Sequence, residues 1–147
     1  MTELEIGYIA GIVDGEGCVY VNRRKATGRR KTIGHSVKVV VTTTSHDLVK
    51  WLECHAELTS ICYSEPKGNR KPKWLCTWNN SKAEWLLELI LPYLVIKTPQ
   101  AILGLELLRH LRSTPFHRGV CLAPEVIAYR ESIKQDIAKL NFRGKAC

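Results

Sequence analysis

The sequence has no apolar run approaching the ~18–20 residues of a membrane-spanning helix. Its first residues, Met1-Thr-Glu-Leu-Glu-Ile6, are acidic where a secretory leader is basic. A membrane partner is therefore not expected and an intracellular protein is; organelle and prokaryotic cytoplasm stay equally open. Six cysteines occur, but none forms a C-x-x-C pair: Cys18, Cys54, Cys62, Cys76, Cys121 and Cys147 stand singly, and only Cys54 adjoins a histidine, His55. That scatter argues against a zinc site and against a disulfide framework, and leaves buried or idle thiols. Internal repeats and low-complexity tracts are also missing. With 147 residues the chain is too short for two ordinary domains, so a single domain over 1–147 is expected, with 45% apolar residues to build its core.

Acids are in short supply. Against 22 Lys and Arg stand 14 Asp and Glu, a formal charge of +8 that repels itself unless a polyanion is near. Nucleic acid is the leading partner class, and nothing in the sequence points to a small-molecule substrate. Charge alone is weak evidence, because many soluble proteins carry such an excess as a solvated surface, and the reading needs a site to support it.

The apolar pattern predicts an α+β chain. Leu4 to Asp14 reads as a helix; Val19 to Arg24 alternates with period two, and Lys25-Ala-Thr-Gly-Arg-Arg30 makes a basic turn into a strand over Thr32 to Thr43. There Ile33, His35, Val37, Val39 and Val41 share one face, and Ser36, Lys38 and Val40 the other. His35 is thus expected on the core side. Ser45 is an N-cap for a helix through about Glu57. A second hairpin follows, with strands over Ile61 to Glu65 and Lys73 to Trp78 around the basic turn Pro66 to Pro72. Further helices are expected over Ser81 to Leu91, Thr98 to Arg112 and Pro124 to Leu140. The order α-β-β-α-β-β-α-α-α implies a four-stranded antiparallel sheet with helices on one face and the other left free.

That free face gathers basic and polar residues. Strand alternation places Tyr20, Asn22, Arg24, Ser36, Lys38, Val40, Ser64, Lys73, Leu75 and Thr77 on it, with Arg29, Arg30, Arg70 and Lys71 in the turns. A two-stranded ribbon fits the DNA major groove, where alternating side chains meet base edges and turn residues meet phosphates.

The first helix is unusual in its glycines. Gly7, Gly11 and Gly15 recur every four residues, with Ala10 beside them. Each interior glycine costs about 1 kcal/mol of helix stability relative to alanine, so the stripe calls for a close backbone neighbour. One solution is the same helix of a second copy about a two-fold axis, with Gly7, Ala10, Gly11 and Asp14 in the interface; the other is a neighbour inside the chain. At the helix end Asp14 and Glu16 lie where the dipole is negative, so something cationic is expected beside them. Gly15 and Gly17 are expected to let the chain turn with unusual φ and present Glu16 and the Gly15 carbonyl at the tip. In a two-fold dimer two Glu16 carboxylates converge. Hard oxygen ligands of this kind suit Mg²⁺, with Mn²⁺ or Ca²⁺ able to substitute in binding, and metal-assisted phosphodiester hydrolysis follows.

Tyr8-Ile-Ala-Gly-Ile-Val-Asp-Gly-Glu-Gly-Cys18 resembles the LAGLIDADG motif of homing endonucleases, and the α-β-β-α-β-β-α order after it resembles their fold. Leu94-Val-Ile-Lys-Thr-Pro-Gln-Ala101 resembles the family's lysine-bearing approach to a helix, and Leu140-Asn-Phe-Arg-Gly144 its common C-terminal ending. The resemblance implies a homodimer, because the motif occurs once, acting on a long pseudo-palindromic DNA site and leaving short 3′ overhangs. It implies Glu16 as metal ligand with the Gly15 carbonyl, Lys97 beside the scissile phosphate, and Thr43 where some relatives carry a water-ordering Gln. Glu16 stands where the family often has Asp, and Asp47 near a position that is basic in some relatives. A non-catalytic binder with the same fold, an RNA maturase assisting intron splicing or a DNA-binding regulator, is the alternative.

Overall fold

The computed structural model describes residues 1–27, 33–66, 68–69, 71–115 and 121–142. Helix α1 (Glu3–Glu16) begins in a capping box that the sequence reading missed: Thr2 N–H donates to Glu5 Oε2 (2.7 Å), and Glu5 N–H donates to Thr2 Oγ (3.3 Å). Strands β1 (Gly17–Arg24) and β2 (Gly34–Thr43) form the first hairpin. Helix α2 (His46–His55) starts at the predicted cap, with Ser45 Oγ accepting from Leu48 N–H. Strands β3 (Ser60–Ser64) and β4 (Lys73–Asn79), then α3 (Ser81–Ile90), a 3-10 turn (Leu91–Tyr93), α4 (Thr98–Ser113) and α5 (Pro124–Asn141), complete the order. Every predicted element is present within one or two residues of its expected ends.

The sheet is antiparallel throughout, in the order β1-β2-β4-β3. Its register pairs Val19 with Val39, Val21 with Val37, Val39 with Trp78 and Val41 with Cys76, so one face is continuously apolar. All of these residues are buried, beneath Ile9 and Val13 of α1, Leu52 of α2, Leu86, Leu87 and Ile90 of α3, Leu105 and Leu107 of α4, and Ile133 and Ile137 of α5. Burial of each large side chain contributes about 1.5–3 kcal/mol. Helix α4 lies so close to the sheet that a Cβ on Gly104 would sit 3.3 Å from Leu87, 3.4 Å from Val19 and 3.5 Å from Val37.

Helix α5 is tied to the sheet by polar contacts. Glu131 Oε1 pairs with Arg23 Nε (2.6 Å) and with His35 Nε2 (2.8 Å), and Glu131 Oε2 pairs with Lys134 Nζ (3.3 Å). Burial alone would push the Glu131 carboxyl up; hydrogen bonds from His35 and Lys134 outweigh it and hold it below the usual carboxylate range. His35 therefore lies on the core side, as its strand position implied. At the outer edge of β1, Asn141 Nδ2 donates to the Val19 carbonyl (2.7 Å), blunting an otherwise open strand edge.

The α1–β1 junction departs from expectation in its cause. Gly15 is helical and Gly17 has φ −85°, so neither adopts an unusual φ. Gly17 is required for space instead: a Cβ there would lie 2.5 Å from the Val13 carbonyl oxygen and 2.8 Å from Val13 Cα. Gly17→Ala is expected to cost about 1–3 kcal/mol, with a fall in melting temperature of about 2–4 °C per kcal/mol, measurable by thermal denaturation.

Candidate active site and nucleic-acid interface

The last turn of α1 has no intrahelical donors for its final carbonyls. Gly17 N–H satisfies that of Val13, and Lys97 Nζ donates to that of Asp14. The Gly15 carbonyl is left at the tip without an intrahelical donor. Glu16 is exposed there and makes no hydrogen bond or ion pair among the described residues. The cation that the helix dipole called for is Lys97. It is no exposed turn residue: it is 7% exposed and forms the N-cap position of α4, packed against the C-terminal end of α1. Its charge also reaches Cys18, whose thiol burial pushes up while Lys97 pulls it partly back.

Asp14 faces inward. Its Oδ2 accepts from Val95 N–H (2.7 Å), and its Oδ1 from Ile96 N–H (3.2 Å) and Lys97 N–H (2.9 Å). Burial would raise its pKa; the three amides and the Lys97 charge overcome this and hold the carboxyl below its ordinary value. Asp14 is 8% exposed and Ala10 is fully buried in the core. Both are therefore removed from the surface open to a second copy: Ala10 packs with Ile9 and Val13, and Asp14 spends both oxygens inside its own chain. The sequence held a sign of this, since an acid at a helix C-terminus needs compensating donors.

Gly7, Gly11 and Gly15 are different. A Cβ added at any of them would meet nothing within 4 Å, so no neighbour inside the described chain explains the stripe. Leu4 (86% exposed) and Tyr8 (53%) share this face at helical spacing, and Val95 and Ile96 are exposed beside its end. Tyr8 packs edge-on to Trp51 of α2 (5.0 Å), which stacks on His55 (4.5 Å). The result is an apolar, small-residue face left open along α1.

Thr43 stands at the end of β2, two positions beyond the Gly17–Val41 pair, with its Oγ accepting from Ser45 N–H (3.1 Å). Its hydroxyl proton is not used in that contact.

The sheet face away from the helices carries the predicted set. Across the ladders Tyr20 pairs with Lys38, Asn22 with Ser36, Val40 with Thr77, Leu75 with Cys62 and Lys73 with Ser64. Arg24, Lys73 and the turn residue Lys71 are exposed, and Tyr20, Asn22, Lys38, Val40, Ser64, Leu75 and Thr77 are half-buried. Ser36 is the exception: it lies on the expected face but is 4% exposed, its short side chain sunk opposite Asn22 and its Oγ without a hydrogen-bond partner among the described residues. Arg29, Arg30 and Arg70 lie outside the described residues. None of the four strands contains Asp or Glu, so the positive charge of Arg24, Lys38 and Lys73 is not neutralised within the sheet. Alternation also puts Cys18, Cys62 and Asn79 on this face, which the sequence reading did not name.

The donor set at the α1 tip fits a hard divalent cation: one exposed carboxylate and one carbonyl, both oxygen. One chain supplies too little alone, for no group of three or more His, Cys, Asp or Glu side chains lies within reach of one ion among the described residues. A cleft of about 370 Å³ between Ile33, Asn80, Leu108 and Arg130 is built from other residues.

No protein-family profile matches the chain. Over 145 residues it is 25% identical to the DNA endonuclease I-CvuI of Chlorella vulgaris, covering 96% of this chain and 89% of the relative. The crystal structure of the homing endonuclease I-CvuI in complex with its target in the presence of Ca superposes with a TM-score of 0.74 at 21% identity, covering 97% of this chain and 84% of that one. An archaeal intron-encoded homing endonuclease complexed with DNA gives 0.76 at 14% identity, covering 99% and 90%. The I-SmaMI LAGLIDADG homing endonuclease bound to cleaved DNA gives 0.71 at 16% identity, covering 93% of this chain but 45% of that one.

Proposed function

We propose that this chain, whose fold is that of the LAGLIDADG homing endonucleases and which carries one copy of their motif, works as a homodimeric, site-specific DNA endonuclease. The observation that carries the reading is the α1 tip: an exposed Glu16 with no partner among the described residues, at the end of a glycine face open to a second copy, with Lys97 packed beside it. Packing α1 against its symmetry mate through Gly7 and Gly11 brings two Glu16 carboxylates to one place, which completes a donor set that one chain leaves short. The half-length match to the LAGLIDADG relative bound to cleaved DNA supports the same reading.

In the dimer, Glu16 and the Gly15 carbonyl of each copy hold divalent cations, Mg²⁺ in the cell. When bound, a hard dication lowers the pKa of water and neutralises charge developing on the phosphate. The protein supplies position and charge. Lys97 adds a positive charge at the tip, and the Thr43 hydroxyl is available to orient water. The acid-free sheet face docks in the major groove, with Tyr20, Asn22, Lys38, Val40, Leu75 and Thr77 toward bases. Arg24, Lys71 and Lys73, together with Arg29, Arg30 and Arg70 of the turns, meet phosphates. A two-fold dimer reads a long pseudo-palindromic site and cuts both strands between the half-sites, leaving short 3′ overhangs.

The test is cleavage of a randomised duplex library by the purified protein in Mg²⁺, with the cut ends sequenced. Recovery of one pseudo-palindromic family with 3′ extensions is expected; salt-sensitive binding with no cut ends would leave a binder of DNA or RNA instead. Lys38→Ala and Lys73→Ala are each expected to weaken duplex binding. Where the lysine meets a phosphate, the slope of log K against log salt should fall by about 1 per variant, readable by titration at several salt concentrations.

A further inference from the structure

We infer that Asp14 is a positioning residue for the proposed nuclease, its carboxylate clamping the 95–97 backbone, and with it Lys97, against the helix end that bears Glu16. The inference rests on the nuclease reading for its consequence, but on geometry for the clamp itself. Three successive amides, those of Val95, Ile96 and Lys97, donate to the two oxygens of this one carboxylate. Lys97 closes the loop by donating from Nζ to the Asp14 carbonyl. Val95 and Ile96 turn their side chains outward, 84% and 62% exposed, so apolar burial does not hold this stretch down at those positions. The buried Leu94 and the bond from Thr98 Oγ to the Leu94 carbonyl (2.8 Å) fasten the two ends of the stretch, and the Asp14 carboxylate holds the amides between them.

Asp14 lies two residues before Glu16 and one before Gly15 on the same rigid turn. The clamp therefore fixes the distance between the two charged groups assigned to the reaction, which come from segments more than 80 residues apart in sequence. Misplacement of a reacting group by about 1 Å can cost about 10²-fold in rate.

Asp14→Asn keeps the shape and one acceptor oxygen but turns an NH2 toward amide donors. Single-turnover cleavage at saturating protein should fall about 10–100-fold, matching loss of a buried hydrogen bond of about 1–3 kcal/mol, while DNA affinity stays within about threefold. Because Asp14 acts through Lys97, the same substitution in a Lys97→Met background should cost less than about threefold further. Full additivity of the two losses, or a wild-type rate in Asp14→Asn, would overturn the inference. Hydrogen exchange at the Val95, Ile96 and Lys97 amides gives a readout free of cleavage: about tenfold or faster exchange in Asp14→Asn supports the clamp, and unchanged exchange overturns it. If the wild-type protein leaves every duplex intact, the nuclease reading falls by itself and the exchange result still decides the clamp. Asp14→Glu, which keeps the charge one methylene out of register, supplies the same comparison should the asparagine variant not fold.

Discussion

Glu16→Gln is expected to lower cleavage by about 10³-fold while leaving the dimer and its DNA affinity intact. The side chain is exposed and makes no hydrogen bond or ion pair among the described residues, so nothing in the fold is lost with its charge. Surface substitutions of this kind change stability by about 0.5 kcal/mol or less. What is lost is the charged oxygen donor at the α1 tip. Glutamine offers a neutral carbonyl in nearly the same place, too weak an electrostatic partner for a hard dication. In a two-fold dimer the substitution acts on both copies at once, and removal of an electrostatic stabiliser of the reacting phosphate costs about 10²–10³-fold by itself. Three measurements separate the possibilities: single-turnover cleavage in Mg²⁺, gel-shift affinity in the absence of turnover, and mass by light scattering. Equal cleavage by Glu16→Gln and the wild type would remove Glu16 from the reaction.

Most of the fold was legible because period and capping agree along the chain. Val37, Val39 and Val41 alternate with Lys38 and Val40, and the register carries that alternation into Val19, Cys76 and Trp78. The side of His35 followed from the same rule. What alternation does not give is depth, so Ser36 was placed on the correct face but not beneath its surface. Contacts between distant segments left no periodic trace. Glu131 joining Arg23 and His35, and Asp14 joining residues 95–97, pair an acid on one element with donors far along the chain. The conflict between Asp14 and the helix dipole announced that a partner existed, without saying which.

The glycines of α1 show the same boundary. Spacing put Gly7, Gly11 and Gly15 on one side, yet it grouped Ala10 with them, although Ala10 is core and the glycines are not. Gly17 looked like a flexible hinge, and its reason is steric. Spacing identifies the residue type but not the neighbour: for Gly17 it is Val13, one turn back in the same helix, and for Gly7 and Gly11 it is either another part of the chain or, on the proposed reading, a second copy.

Gly11→Leu distinguishes those last two possibilities by the sign of its effects. Among the described residues of one chain a Cβ at Gly11 meets nothing within 4 Å, so a side chain there starts into open space. Replacing an interior helical glycine by leucine also removes a propensity penalty of about 0.5–1 kcal/mol. The folded monomer should therefore be as stable as before or slightly more so. Across a two-fold axis the same residue faces its own copy, so each subunit thrusts a leucine into the space where two backbones must approach. The expected result is a chain that keeps its helical circular dichroism but sediments as a monomer. Its cleavage should be lost altogether, since the two Glu16 carboxylates no longer meet, and its duplex affinity should drop to that of a single half-site. Gly7→Leu should behave in the same way, one turn further from the tip. A dimeric, fully active Gly11→Leu protein would place the subunit contact elsewhere on the molecule, and a loss of monomer stability would mean that the stripe serves a neighbour within the chain.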